Sequence, residues 1–183
     1  MPPMLRLLGL LLPLLGVLAF VAPDSAKPKA ITVYVVRHAE KGALLDPQQP
    51  NEQPLSEAGL LRAGELALTL RKAPIVAVYS TDTKRTRDTG TPLATARKLS
   101  IEPYKSDAPG LAALATRIRQ TPPGKAVLVV GHSNTVLETI EALGAVRPVK
   151  AIADNEFSYL FEVKLPANGG PATATVRRYG AVK

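Results

Sequence analysis

The chain contains no cysteine and no tryptophan, and only three phenylalanines and two histidines among its 183 residues. The lack of cysteine excludes disulfides, thiolate nucleophiles, zinc ribbons and iron–sulfur clusters. Aromatic residues amount to 4%, so few rings are available to stack on bases. The basic residues are scattered rather than banded, and nucleic acid is not expected as a partner. Two histidines leave few side chains able to move a proton or hold a metal near neutral pH, so their placement matters. Positive charge, by contrast, is plentiful. The 23 Lys plus Arg outnumber the 15 Asp plus Glu, for a net charge of +8. That balance favours an anionic partner, such as an acidic membrane surface or a phosphorylated substrate. With 46% hydrophobic and 21% charged residues the chain suits one packed domain.

The N-terminal stretch is set apart from that domain. Residues 1–26 read as a signal peptide or N-terminal anchor with a linker: Arg6 is followed by an uncharged run from Leu7 to Ala22, and Val17-Leu18-Ala19 satisfies the small-residue cleavage rule. The run is short for a spanning helix, which needs about 20 residues. The expectation is export to the periplasm or the exterior, with contact to a membrane only through residues 5–22 if the leader is not cleaved. No cysteine follows the run, which excludes a lipid-anchored lipoprotein. The leader and linker carry one charge of each sign, Arg6 and Asp24, so the +8 belongs to residues 27–183.

In that remainder, Ile31–Val36 (ITVYVV), Ile75–Tyr79 (IVAVY) and Ala126–Val130 (AVLVV) are β-branched runs of the kind buried on both faces of a sheet. Ile101–Tyr104 reads as a further short strand. Between them lie a polar, Pro-rich loop from Arg37 to Pro54 and a helix capped by Ser56 and running to about Lys72. The apolar stripe of this helix is predicted at Leu60, Leu61, Ala67, Leu68 and Leu70. A second helix from Thr83 to about Leu99 is interrupted near Pro92, a third is capped by Asp107 and runs to Arg119, and a fourth spans Thr135 to Leu143. Phe157–Leu165 and Thr173–Tyr179 alternate like more exposed strands, with Asn168-Gly169-Gly170-Pro171 as their turn. Asp154-Asn155-Glu156 reads as a simple turn before them. The pattern predicts an α/β fold: a three-layer α/β/α sandwich with a mostly parallel central sheet and a C-terminal hairpin.

In such sheets ligands bind beyond the carboxyl ends of the strands. Arg37 and His38 follow the first run; Ser80, Thr81 and Asp82 follow the second, with Lys84, Arg85 and Arg87 close behind; Gly131, His132, Ser133 and Asn134 follow the run at 126–130. Both histidines of the chain therefore fall at one sheet edge beside arginines. Two imidazoles with no clustered carboxylate or thiol make a poor metal site, and neighbouring arginines would repel a cation, so no metal and no cofactor is expected. A phosphoryl group fits better, since its oxygens match the donor forks of arginine. A neutral His38 would attack phosphorus, while Arg37, Arg85 and His132 stabilise the equatorial oxygens. Lys41, Ser133 and Asn134 are candidates for contacting the substrate.

These residues carry a resemblance. Val36-Arg37-His38-Ala39-Glu40 resembles the Arg-His-Gly-Glu signature of the histidine phosphatase superfamily, which also contains the cofactor-dependent phosphoglycerate mutases; Ala39 stands where the glycine is usual. Pro54-Leu55-Ser56-Glu57-Ala58-Gly59, the segment Ser80–Thr89 and Val130-Gly131-His132-Ser133 are similar to the family's further motifs, in order, over about residues 31–180. The resemblance implies that Arg85 is the second catalytic arginine and that a carboxylate serves as general acid. No carboxylate follows His132 directly. Glu102 and Asp107 are the candidates, with Glu40 behind them. A phosphoramidate leaves more easily than an alcohol and can do without a strong proton donor. The expected function is hydrolysis of a phosphorylated small molecule or phosphoprotein through a phosphohistidine on His38. The alternatives are a non-catalytic phosphate-binding module and a phosphoglycerate mutase.

Overall fold

The computed structural model describes residues 29–180, so the leader assigned to residues 1–26 lies outside the described residues. The elements follow one another as β1 (Ile31–Arg37), a 3-10 turn at Pro50–Glu52, α1 (Glu57–Thr69), β2 (Ile75–Ser80), α2 (Lys84–Arg97), β3 (Ile101–Pro103), α3 (Ala108–Arg119), β4 (Ala126–Gly131), α4 (Val136–Ala142), β5 (Tyr159–Leu165) and β6 (Thr173–Arg178). They build one six-stranded sheet in the order β3-β2-β4-β1-β5-β6. The β3-β2, β2-β4 and β4-β1 pairs are parallel, and the β5-β6 hairpin is added antiparallel beside β1.

The β-branched runs form central strands because both faces of the sheet are covered. On one side Val33, Val35, Val127, Val129 and Phe161 pack with residues of α3 and α4, among them Leu111, Leu114, Ile118 and Ile140. On the other, Val36, Val78, Leu128, Val130 and Leu160 pack with Leu66 and Leu70 from the α1 segment and with Leu93 of α2. Every residue of β4 is buried, and burying each of its aliphatic side chains contributes about 1.5–3 kcal/mol. The three-layer sandwich, the mostly parallel sheet and the C-terminal hairpin are all present. Ser56 caps α1 by accepting from the Gly59 N–H at 3.1 Å, and Asp107 caps α3 by accepting from the Gly110 N–H at 2.8 Å.

Three local expectations are corrected. Leu60, Leu61 and Leu68 point to solvent, at 59%, 69% and 55% exposure. The inward face of α1 is instead Gly59, Arg62, Ala63 and Leu66. Pattern reading assigns apolar residues inward, but here an arginine neutralised by Glu40 takes an inward position, as does a glycine. A Cβ on Gly59 would stand 2.3 Å from the Glu40 carbonyl oxygen. Helix α2 also runs unbroken through Pro92. Burial of Leu93 and Ala94 against the sheet holds both halves in line despite the missing N–H. Strand β5 is an interior strand, with Leu160 and Phe161 fully buried on opposite faces, and β6 is the exposed edge.

Candidate active site

Three neighbouring strands end level with one another. In the sheet register Arg37 pairs with Gly131 and Ser80 with Val130. The next residue in each case is His38, His132 or Thr81. The His38 N–H donates to the Gly131 carbonyl at 2.8 Å, which extends the β1–β4 ladder into the site. The two imidazoles meet edge to face, with centroids 5.3 Å apart. A Cβ on Gly131 would stand 2.8 Å from the Tyr104 hydroxyl and 3.1 Å from Thr135 Oγ1, so a larger residue there would press on the side chains behind the site.

His38 is buried, and its Nδ1 lies 2.7 Å from the Ala39 carbonyl oxygen. A carbonyl can only accept, so Nδ1 carries the proton and Nε2 presents its lone pair. Burial lowers the His38 pKa to about 3, helped by the positive charges of Arg37 and Arg85 and by His132. Burial, with Arg85, Arg37 and Lys41, lowers that of His132 to about 4. No carboxylate is among the charges felt at either ring. Both imidazoles are therefore neutral at neutral pH, as a nucleophile requires.

This burial has a consequence for acid stability. Each histidine binds a proton more readily unfolded, near pH 6.5, than folded, at about 3 and about 4. As pH falls from about 6.5 the unfolded chain takes up protons first, and stability declines. Thermal unfolding between pH 7 and 4 should show a falling melting temperature, and the fall should be shallower in a His38→Asn, His132→Asn double variant. Equal slopes would contradict the burial argument.

Arg37 lies over the Phe157 ring at 4.3 Å, and its Nη1 donates to the carbonyls of Ala153, Asp154 and Glu156 at 2.8, 3.1 and 3.3 Å. The segment 153–156 thus does approach the site, through its main chain. Arg85 donates from Nη1 to the Pro50 carbonyl at 3.2 Å. Burial lowers the pKa of both guanidiniums. Among the described residues the buried side-chain polar atoms without a partner are Nε of Arg37, Nε of Arg85 and the Tyr179 hydroxyl. A buried N–H left unpaired costs about 1–3 kcal/mol. Two such donors beside two imidazoles are what a polyoxygenated anion would satisfy.

The other candidates take different places. Lys41 is exposed and bridges to Leu55 on the loop after β1. Ser133 and Asn134 lie in the turn between His132 and Thr135. Glu102 forms a half-exposed ion pair with Arg117, and Asp107 is spent on capping α3. The expectation that one of these two carboxylates donates a proton at the site finds no support in this geometry. Glu40 is held by Arg62 through a two-pronged ion pair at 2.7–2.9 Å. Among the described residues no three His, Cys, Asp or Glu come together in a way that could hold a metal.

Sequence reading missed the hydroxyls beneath the site. Thr81 Oγ1 lies 2.9 Å from Nε2 of His132. Thr89 Oγ1 accepts from the Ala39 N–H at 3.0 Å and donates to the Arg85 carbonyl at 2.7 Å, tying the loop after His38 to α2. The signals in the sequence are the place of Thr81 at the end of a strand and the density of threonine in Thr81–Thr89. Phe157, read as the start of a strand, is the platform under Arg37. It also lines a cavity of about 560 Å³ with Glu40, Arg62, Asn155, Glu156, Ser158 and Arg178.

The family model described as histidine phosphatase superfamily (branch 1) matches residues 33–106. No curated protein matches the chain. Among solved structures, the protein histidine phosphatase SixA complexed with tungstate is similar at a TM-score of 0.59 and 20% identity, covering 82% of this chain and 96% of that one. Bacillus stearothermophilus YhfR gives 0.55 and 18%, covering 84% and 98%. The mycobacterial glucosyl-3-phosphoglycerate phosphatase complexed with VO3 gives 0.55 and 16%, covering 82% and 99%. At these identities the likeness is one of fold.

Proposed function

From the match of residues 33–106 to the histidine phosphatase superfamily and from the site's geometry, we propose that the chain is a phosphatase of that superfamily whose Nε2 atom of His38 takes the phosphoryl group of a phosphorylated small molecule or phosphoprotein. The observation that carries this reading is the free Nε2 lone pair set beside two buried, unpartnered arginine N–H groups. In the first step the lone pair of Nε2 attacks phosphorus. The bond from phosphorus to the leaving atom breaks, and the leaving group keeps the electron pair. Arg37 and Arg85 hold the equatorial oxygens as charge shifts onto them. In the second step water attacks the phosphohistidine, the P–N bond breaks back to His38, and orthophosphate departs with the proton balance made up from solvent.

The engagement of the candidate carboxylates elsewhere bears on the choice of substrate. Glu102, Asp107 and Glu40 are engaged with Arg117, the α3 N-terminus and Arg62. A leaving group that departs without strong general acid help fits this site best, which favours phosphoramidates such as phosphohistidine, or other activated phosphates, over alkyl monoesters. Similar structures from Agrobacterium tumefaciens and Nakamurella carry the name phosphohistidine phosphatase SixA, which supports the same reading. With the leader reading of residues 1–26, the reaction takes place after export.

The test is a comparison of kcat/KM for a phosphoramidate and a simple alkyl phosphate under identical conditions without added metal. The phosphoramidate should be preferred by about 10²-fold or more, the lower end of what one general acid contributes. Equal rates would overturn the substrate assignment, and no turnover of either, with phosphate still bound, would favour a binding module. Phosphate transfer between positions of a sugar acid faster than hydrolysis would favour a mutase.

A further inference from the structure

Three threonine hydroxyls stand in a row behind His132. Thr81 Oγ1 is 2.9 Å from Nε2 of His132 and 3.1 Å from Thr86 Oγ1; Thr86 Oγ1 is in turn 2.8 Å from Thr83 Oγ1 and 2.8 Å from the carbonyls of both Thr81 and Thr83. All three threonines are buried, Thr86 completely. Thr86 has one proton, and a carbonyl takes it, since carbonyls offer no proton in return. Its oxygen then accepts from Thr83 and has room for one further donor. Thr81 therefore holds one proton between two acceptors, the Thr86 oxygen and the imidazole nitrogen. The nitrogen is the closer of the two, and an sp² imidazole nitrogen is the better base.

His132 is neutral because it is half-buried beside the cations of Arg85, Arg37 and Lys41, so its ring carries a single proton. Nε2 is occupied by Thr81, which leaves Nδ1 as the nitrogen available to a phosphoryl oxygen. If Nε2 held the proton, Nδ1 would present a lone pair to the anion and repel it.

We propose that Thr81 is the positioning residue that sets the tautomer of His132: its hydroxyl donates to Nε2, which places the ring's one proton on Nδ1, where it can donate to the phosphoryl group. Thr86 and Thr83 complete the device. They supply an alternative resting place for the Thr81 proton, so that no hydroxyl in the row is left buried without a partner. The inference rests on the phosphatase reading for its effect on turnover, whereas the tautomer itself can be observed without turnover.

The chain's two histidines make its imidazole nitrogens readily resolved by 15N NMR of histidine-labelled protein. In the wild type, His132 should show a protonated Nδ1 and an accepting Nε2. Thr81→Val should redistribute the proton toward Nε2 and lower kcat/KM about tenfold, the equivalent of one net hydrogen bond. Thr81→Ser, which keeps the hydroxyl, should recover both the wild-type spectrum and most of the rate. A wild-type His132 protonated on Nε2 overturns the proposal even if Thr81→Val does not fold. So does a folded Thr81→Val whose ring nitrogens are unchanged. An inactive wild type with Nδ1 protonated would refute the phosphatase reading while supporting the tautomer assignment.

Discussion

Replacing His38 with alanine should abolish hydrolysis of an aryl phosphate, a loss of roughly 10³-fold or more, because the variant has no nucleophile to split the displacement into two steps. The fold should survive. His38 hangs beyond the end of β1, and the ladder bond it makes to Gly131 comes from its main-chain N–H, which alanine retains. The imidazole itself is held by a bond to its own neighbour, Ala39. Rapid quenching of the wild type after brief exposure to substrate should trap one acid-labile phosphoryl group per chain, and the alanine variant should trap none. Substantial activity in the variant would sink the mechanism.

Arg85→Ala carries the next largest effect. Removing one preorganised donor from a charge-stabilising site costs about 10²–10³-fold in kcat, and Arg85 contributes a buried Nε with no partner inside the protein. Among the described residues its guanidinium makes one hydrogen bond, to the Pro50 carbonyl, and that bond is exposed. The substitution should therefore cost turnover and vanadate affinity while leaving the melting temperature nearly unchanged. Arg37→Ala makes the informative contrast. That guanidinium also gathers three carbonyls of the 153–156 segment and covers Phe157, so its loss should lower activity and stability together. If Arg85→Ala keeps wild-type kcat, the oxygens are held elsewhere.

How much of this was legible in the sequence follows from what each residue does. The strands β1, β2 and β4 could be read because burial on both faces leaves unbroken β-branched runs, and the strand ends then located His38, Arg37 and His132. Arg85 could be singled out from its basic neighbours only through the resemblance of Ser80–Thr89 to the family pattern. The exposed Leu60, Leu61 and Leu68 could not be foreseen, because the inward turn of α1 depends on an ion pair between Arg62 and Glu40, 22 positions apart. Glu102 and Asp107 looked like acids by chain position, yet carboxylates are claimed by whatever cation or helix end they meet in three dimensions. Thr81 and Thr86 were hidden for a similar reason: a threonine in sequence does not disclose whether its hydroxyl meets water, a carbonyl or an imidazole.

The order of strands has a consequence for how the protein comes to be active. β4 lies between β1 and β2 although it is the last of the three in the chain. His38 and Arg85 therefore cannot face His132 until the chain between β2 and β4 has folded back and inserted its strand at the centre of the sheet. No fragment that ends before residue 131 can hold the two imidazoles together. Contacts this distant in sequence form late, against the entropy of closing long loops. Catalytic competence is thus a property of the completed sheet and of no smaller unit, and the chain cannot work while it is only partly folded.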